Sequence, residues 1–228
     1  MGPSVALSRV PKMAVNERPR YIAIEGPIGV GKTTLAQLLA ERVDARLVLE
    51  PVEENPFLAG FYADRRKHAF QTQLFFLLSR FQQQQALAQG DLFGQSTVAD
   101  YLFAKDRIFA ALTLSPDELA LYERVFDLVG PRVVRPDLVV YLQARTEVLA
   151  ARIRKRGREF ERHLDNGYLD ALSRAYNDFF FHYEETPLLI VNASDIDLEN
   201  PADADALVQV IRRHRKGTAN YVPLGTRT

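Results

Sequence analysis

Tyr21-Ile22-Ala23-Ile24-Glu25-Gly26-Pro27-Ile28-Gly29-Val30-Gly31-Lys32-Thr33-Thr34 is the stretch that decides the fold. Its first four residues are an apolar, β-branched run that reads as a buried strand. Gly26 to Thr34 fits G-x-x-x-x-G-K-[ST], and Leu35-Ala36-Gln37-Leu38-Leu39-Ala40-Glu41 continues as a helix. Strand, glycine-rich turn and helix in that order make a phosphate cradle. Glycines let successive backbone N–H groups point inward, and the helix adds the positive end of its dipole. Gly26, Pro27, Ile28, Gly29, Val30, Gly31, Lys32, Thr33 and Thr34 are therefore expected to bind a nucleoside triphosphate, ATP. Lys32 would reach its β- and γ-phosphates, and the Thr33 hydroxyl would ligate Mg²⁺. An accidental match in a chain of this length arises roughly once in a hundred, and the flanking strand and helix make it rarer.

Outward from the loop, strand and helix patterns alternate. Arg46 to Glu50, Ser96 to Asp100, Asp137 to Leu142 and Leu188 to Val191 read as four more strands. Helices are expected over 66–90, 117–128, 146–156, 165–183 and 202–214. Ser115-Pro116 supplies an N-cap and a first-turn proline for the second of them. On the long helix, Phe70, Leu74, Leu77, Phe81 and Ala88 recur at helical spacing and should face the core. Gln82 to Gln85 read as a solvated face. The pattern implies an α/β fold: a three-layer α/β/α sandwich around a five-stranded parallel sheet, with a helical lid. Residues 20–215 form the expected domain. Residues 1–19, with three prolines and little periodicity, and residues 216–228 read as loose tails.

Bulk properties narrow the partners. With 228 residues, 47% of them hydrophobic, the chain suffices for one well-buried α/β domain and is too short for two. Formal net charge is +0, which gives no global field to attract nucleic acid or membrane. Cysteine is absent, so disulfides, thiolate zinc ligands and thiol nucleophiles are excluded. No apolar run approaches the ~18 residues of a membrane span. A cytoplasmic protein is expected.

In parallel sheets, ligands sit beyond the carboxyl ends of the strands. The first strand ends at the P-loop, the second at Glu50 and the third at Asp100, so cradle and two carboxylates share one edge. Phosphoryl transfer to an alcohol needs a group near the hydroxyl proton and a carboxylate for Mg²⁺. Two acids on one edge can divide these roles; each taken alone reads equally as a helix cap or an arginine partner. Six of the eleven residues from Arg152 to Arg162 are Lys or Arg. Arg152 and Arg156 share a helix face, Gly157 permits a bend, and Arg158 follows, as in a lid that closes arginines over a triphosphate. The bland alternative is a solvated charged helix. Gln73 and Arg80, seven residues apart, point the same way amid apolar neighbours and suit a planar base edge. The alternative there is an ordinary polar stripe.

These residues together resemble the deoxyribonucleoside kinase family over roughly residues 20 to 200. The resemblance rests on Ile24-Glu25-Gly26, Glu50-Pro51-Val52, Tyr62, Phe70-Gln71-Thr72-Gln73 running to Ser79-Arg80, Asp106-Arg107-Ile108-Phe109, Tyr141-Leu142-Gln143 and Arg156-Gly157-Arg158. It implies an enzyme that phosphorylates the 5′-hydroxyl of a deoxynucleoside, a purine or deoxycytidine, and that forms a homodimer. It also implies roles. Glu50 would be the general base and Asp100 a Mg²⁺ ligand. Gln73 would bind the base, Arg80 and Asp106 would select it, and Phe109 would pack on it. Tyr62 and Glu161 would hold the sugar 3′-hydroxyl, and Arg152, Arg156 and Arg158 would belong to the lid.

The family pattern breaks at one point. After the third-strand carboxylate it has arginine then serine; here Asp100 is followed by Tyr101-Leu102. Another cation should then stand near the transferred phosphate. Arg158 in the lid is expected there ahead of Lys105, which is tethered to the following helix. Two rival functions remain in view. A thymidylate-like monophosphate kinase would want a basic residue after Glu50 to grip the acceptor phosphate, and finds Glu53 and Glu54. A nucleotide-binding subunit with little activity is favoured by Tyr101 and disfavoured by intact Lys32 and Glu50.

Overall fold

The computed structural model describes residues 20–90, 94–162 and 164–223; the N-terminal stretch 1–19 lies outside them. All five expected strands form: β1 (Tyr21–Glu25), β2 (Arg46–Val48), β3 (Thr97–Ala99), β4 (Leu138–Gln143) and β5 (Leu188–Asn192). A sixth, β6 (Thr218–Tyr221), forms where the sequence predicts a loose end, so the sheet has six strands rather than five. Thr-Ala-Asn-Tyr has no apolar run to announce it. It becomes a strand by pairing its backbone along one side with Leu188 to Val191.

The order is β2-β3-β1-β4-β5-β6, and every pair is parallel. β1 lies inside the sheet, between β3 and β4, and all five of its residues are buried. That accounts for its unbroken apolar run, because a strand covered on both faces has no polar side to show. Alternate residues feed two cores. Ile22, Ile24, Val140, Leu142, Leu189 and Val191 pack on one face, against α1 (Lys32–Val43) and α8 (Pro201–Arg213). Ala23, Val139, Tyr141 and Leu188 pack on the other, against α4 (Asp106–Thr113) and α7 (Asn166–Phe181). Three layers result, as expected.

The remaining helices are α2 (Leu58–Ala63), α3 (Arg65–Gly90), α5 (Pro116–Val129) and α6 (Thr146–Arg156). The sequence reading misses α2 and α4, which are short. Two expectations on α3 need correction. Ala88 is exposed and Leu87 is buried in its place. The glutamine run is only partly solvated: Gln84 is fully buried and donates to the Tyr21 hydroxyl at 3.1 Å, while Gln83 donates to the Leu49 carbonyl at 2.9 Å. Gln73, Leu77, Arg80 and Gln84 form one buried stripe, polar at three of its four positions. Its Gln73 and Arg80 line a cavity beyond the carboxyl ends of the strands.

Candidate active site

Close packing explains two of the loop glycines. A Cβ on Gly26 (φ 151°) would overlap the Leu142 carbonyl in β4, and one on Gly29 (φ 83°) would lie 2.9 Å from the Leu149 carbonyl in α6. Lys32 folds back over the loop, donating to the carbonyls of Gly26 at 2.7 Å and Pro27 at 3.2 Å. Burial draws its pKa down to about 8, against the pull of Glu25, Glu50 and Asp100.

The two strand-end acids meet beside the loop. Asp100 accepts from the Thr33 hydroxyl at 2.6 Å and from the backbone N–H of Glu50 at 2.7 Å. It thereby ties the ends of β2 and β3 to the start of α1. The Thr33 hydroxyl and the Asp100 carboxylate are the hard oxygen donors that Mg²⁺ takes.

Glu50 stands between two cations. One oxygen is paired with Arg80, and the other accepts from Lys105 Nζ at 2.8 Å. Burial pushes its pKa up, but Arg80 and then Lys105 outweigh it and hold the carboxyl well below its ordinary range. Arg80 also pairs with Asp106. Both are buried, and Asp106, which is not among the residues lining the cavity, is joined to it through Arg80.

Beyond α6, Gly157 turns the chain with φ 71°. Arg156 then grips Glu161 with two nitrogens, one at 2.7 and 2.8 Å from the two carboxylate oxygens and Nε at 3.2 Å from one of them. Arg158 lies 3.4 Å from Glu53 and 3.8 Å from Glu161. Tyr62 stacks on Phe160 at 5.6 Å between centroids. Arg152 faces inward and donates to the carbonyls of Val30, Ala193 and Ile196 at 3.0, 2.9 and 3.3 Å. It braces the P-loop against the segment after β5.

Two cavities open on this edge. The larger, about 660 Å³, is lined by Gly31, Thr34, Arg152, Lys155, Ala193 and Asp197 among others. The smaller, about 210 Å³, is lined by Glu50, Tyr62, Gln73, Arg80, Phe109 and Glu161 among others. Gly29, Lys32, Thr33, Arg156 and Arg158 line both. Donor and acceptor compartments joined at a P-loop lysine form the geometry of a kinase. The family model for deoxynucleoside kinases matches residues 22–214.

The chain belongs to the deoxynucleoside kinase family. A deoxyguanosine kinase of Bacillus subtilis is 40% identical over 157 residues, which cover 68% of this chain and 76% of that protein. A deoxyadenosine/deoxycytidine kinase of the same organism is 30% identical over 208 residues, covering 86% and 94%. Among solved structures, a deoxyadenosine kinase from M. mycoides with dCMP and dCDP bound matches with a TM-score of 0.74 at 26% identity, over 84% of this chain and 98% of that one. The protein is accordingly an enzyme that phosphorylates deoxynucleosides, which sets aside both rival functions.

Within the kinase, the expected site residues converge, with Asp106 joined through Arg80. Of two further residues of the cluster, one has no role in the sequence reading and the other ranks there behind Arg158. Glu25 is fully buried and accepts from Gly26 N at 2.8 Å, Leu102 N at 2.7 Å and the Tyr176 hydroxyl at 3.0 Å. Its signal was a charged residue closing an apolar strand. The other is Lys105. Arg158, expected near the transferred phosphate, lines both cavities and pairs with Glu53 and Glu161, while Lys105 stands beside Glu50. Tyr101 packs with Tyr21, Val48 and Leu87, and its ring centroid lies 5.9 Å from the Arg80 guanidinium carbon. The 3₁₀ turn Phe103–Lys105 ahead of α4 swings the lysine back toward β2, which a simple tether to the helix did not anticipate.

Proposed function

We propose that the enzyme transfers the γ-phosphoryl group of ATP to the 5′-hydroxyl of a deoxynucleoside, with deoxyguanosine and deoxyadenosine preferred and deoxycytidine next. The carrying observation is the pair of cavities that share Lys32, Thr33, Arg156 and Arg158, with Glu50 in the smaller one. The purine preference leans on the relatives, which include a deoxyguanosine kinase at 40% identity. It leans also on Gln73 and Arg80, two buried groups whose donors and acceptor suit the edge of a purine or cytosine.

The larger cavity takes ATP. Backbone N–H groups of the P-loop and the start of α1 hold its phosphates, Lys32 swings from the loop carbonyls onto the β- and γ-oxygens, and Arg156 and Arg158 approach from the lid. The smaller cavity takes the nucleoside, base against Gln73, Arg80 and Phe109, sugar against Tyr62 and Glu161. Glu50 orients the 5′-hydroxyl and receives its proton late. A carboxylate has about four lone-pair sites, so Glu50 can keep both cations and still accept from the hydroxyl. Thr33 and Asp100 would hold Mg²⁺, which when bound offsets charge on the phosphate oxygens.

A homodimer and a cytoplasmic location belong to the same reading. No helix among the described residues is long and apolar enough to cross a membrane. Sedimentation of the purified chain tests the dimer, which a single monomer boundary at micromolar concentration would exclude. The activity is tested by product analysis with ATP, Mg²⁺ and each of the four deoxynucleosides separately. The reading expects monophosphate from the purine deoxynucleosides; thymidine as the only good acceptor would overturn the base assignment.

A further inference from the structure

Lys105 is 2% exposed and nevertheless lines the nucleoside cavity. It lies 2.8 Å from Glu50 and 4.0 Å from Glu25. Burying an ammonium is costly, and a well-packed apolar pair in place of a buried ion pair is often as stable. The position is therefore poorly explained by stability. It is well explained by place. Glu50 faces the cavity where the hydroxyl must lie, and Lys32 and Thr33 mark where the γ-phosphate arrives. An ammonium has three donors. Lys105 makes one hydrogen bond, to Glu50, and only an ion-pair contact with Glu25.

Its mounting is as specific as its position. The Glu25 carboxylate bonds the first glycine of the P-loop and the backbone of Leu102, three residues before Lys105. One buried acid therefore fixes the lysine's segment relative to the phosphate cradle. The Arg158 guanidinium, a lid cation that lines the same cavity, is paired with Glu53 and Glu161.

We propose that Lys105 is a catalytic residue of this kinase, its ammonium bridging Glu50 and the phosphoryl group in flight, with Glu25 as the residue that positions it. The inference rests on the phosphorylation reading above. In that reaction the 5′-oxygen forms a bond to the γ-phosphorus. The bond from that phosphorus to the β,γ-bridging oxygen breaks, and its electron pair leaves with ADP. The hydroxyl proton goes to Glu50. Lys105 transfers no proton. It donates a hydrogen bond to a non-bridging γ-oxygen, where charge shifts in the transition state, and keeps Glu50 aimed at the hydroxyl.

The test is steady-state kinetics of K105M, K105A and K105R beside the parent, with nucleoside and ATP affinities measured by calorimetry. Removing one such donor typically costs ~10²–10³-fold in kcat. K105M should lose about that much with both affinities within threefold of the parent, and K105R should recover at least tenfold. Methylammonium should restore kcat of K105A saturably, which a merely structural cation would not produce and which decides the matter if K105M does not fold. E25Q should lower kcat less than K105M and gain nothing from methylammonium. A working parent whose K105M keeps kcat within threefold, or a folded K105A that methylammonium leaves unchanged, would overturn the role of Lys105 alone. A parent inert towards all four deoxynucleosides would overturn the functional reading and this role with it.

Discussion

Arg80 and Glu50, thirty residues apart in sequence, form a buried ion pair that joins the base end of the nucleoside cavity to its hydroxyl end. Recognition and chemistry therefore share one guanidinium. Glu50→Gln keeps the shape and one acceptor oxygen, turns an NH2 group toward one of the two cations, and cannot take a proton. It should lower kcat by ~10²–10⁴-fold, the usual range for a general base, while nucleoside binding survives. A kcat within threefold of the parent would make Glu50 structural.

Asp106→Asn should act through Arg80. The guanidinium loses one of its two carboxylate partners and is drawn wholly towards Glu50. We expect kcat/KM for purine deoxynucleosides to fall about 10- to 100-fold, corresponding to ~1.4–2.7 kcal/mol, with KM for ATP unchanged. Competition between deoxyguanosine and thymidine reads the effect: selectivity equal to the parent's would contradict it.

Lys32 gives a pH signature. In the nucleotide-free protein its pKa is about 8, because burial outweighs the surrounding acids. A bound triphosphate favours the ammonium and raises that value. ATP affinity should thus be full below pH 8 and fall as the pH rises through 8, with proton uptake on binding. Calorimetry at pH 8.5 in two buffers of different ionisation heat, without Mg²⁺, measures the uptake. Lys32→Arg, charged throughout, should abolish it. Equal heats in the two buffers for the parent would refute the shift.

Arg156→Ala should damage both cavities at once. It removes a lid cation from the triphosphate, and it leaves Glu161, only 4% exposed, without its bidentate partner. Loss of kcat should come with a rise in the nucleoside KM of about tenfold, as expected for a partly exposed partner of a buried charge. A change in kcat alone would free Glu161 from any part in holding the sugar.

Tyr101 should prove unimportant for chemistry. Its ring is fully buried among Tyr21, Val48 and Leu87. Tyr101→Phe should leave kcat within twofold. Tyr101→Arg would force an unpaired guanidinium into that cluster and should destabilise the fold by several kcal/mol, read as a lowered melting temperature. A stable, more active Tyr101→Arg enzyme would contradict this packing.

What was legible in the sequence was what short-range pattern controls. The run Tyr21 to Thr34 specified strand, cradle and helix locally, and the strand ends at Glu50 and Asp100 fell on one edge by topology alone. Gln73 and Arg80 declared their shared face through a seven-residue interval. What stayed hidden depended on distant partners. Gln84 looked like its solvated neighbours until the Tyr21 hydroxyl, 63 positions away, gave it a reason to be buried. Lys105 acquired its place from Glu50, 55 positions upstream. Residues Thr218 to Tyr221 became a strand because Leu188 to Val191 offered an open edge.

The contact between Gly29 and α6 divides the enzyme mechanically. Ile153 and the Leu149 carbonyl press on the loop so closely that only a hydrogen fits at Gly29, and Arg152 clamps the same helix to Val30. Helix and cradle therefore form one rigid frame, and α6 cannot lift without opening the cradle it covers. Any shutter over the phosphates has to start later, at Gly157, the left-handed residue that ends the helix. Arg152 then belongs to the frame and Arg158 to the shutter, with Arg156 at the hinge between them. Arginines four and two residues apart are thus assigned to parts that need not move together.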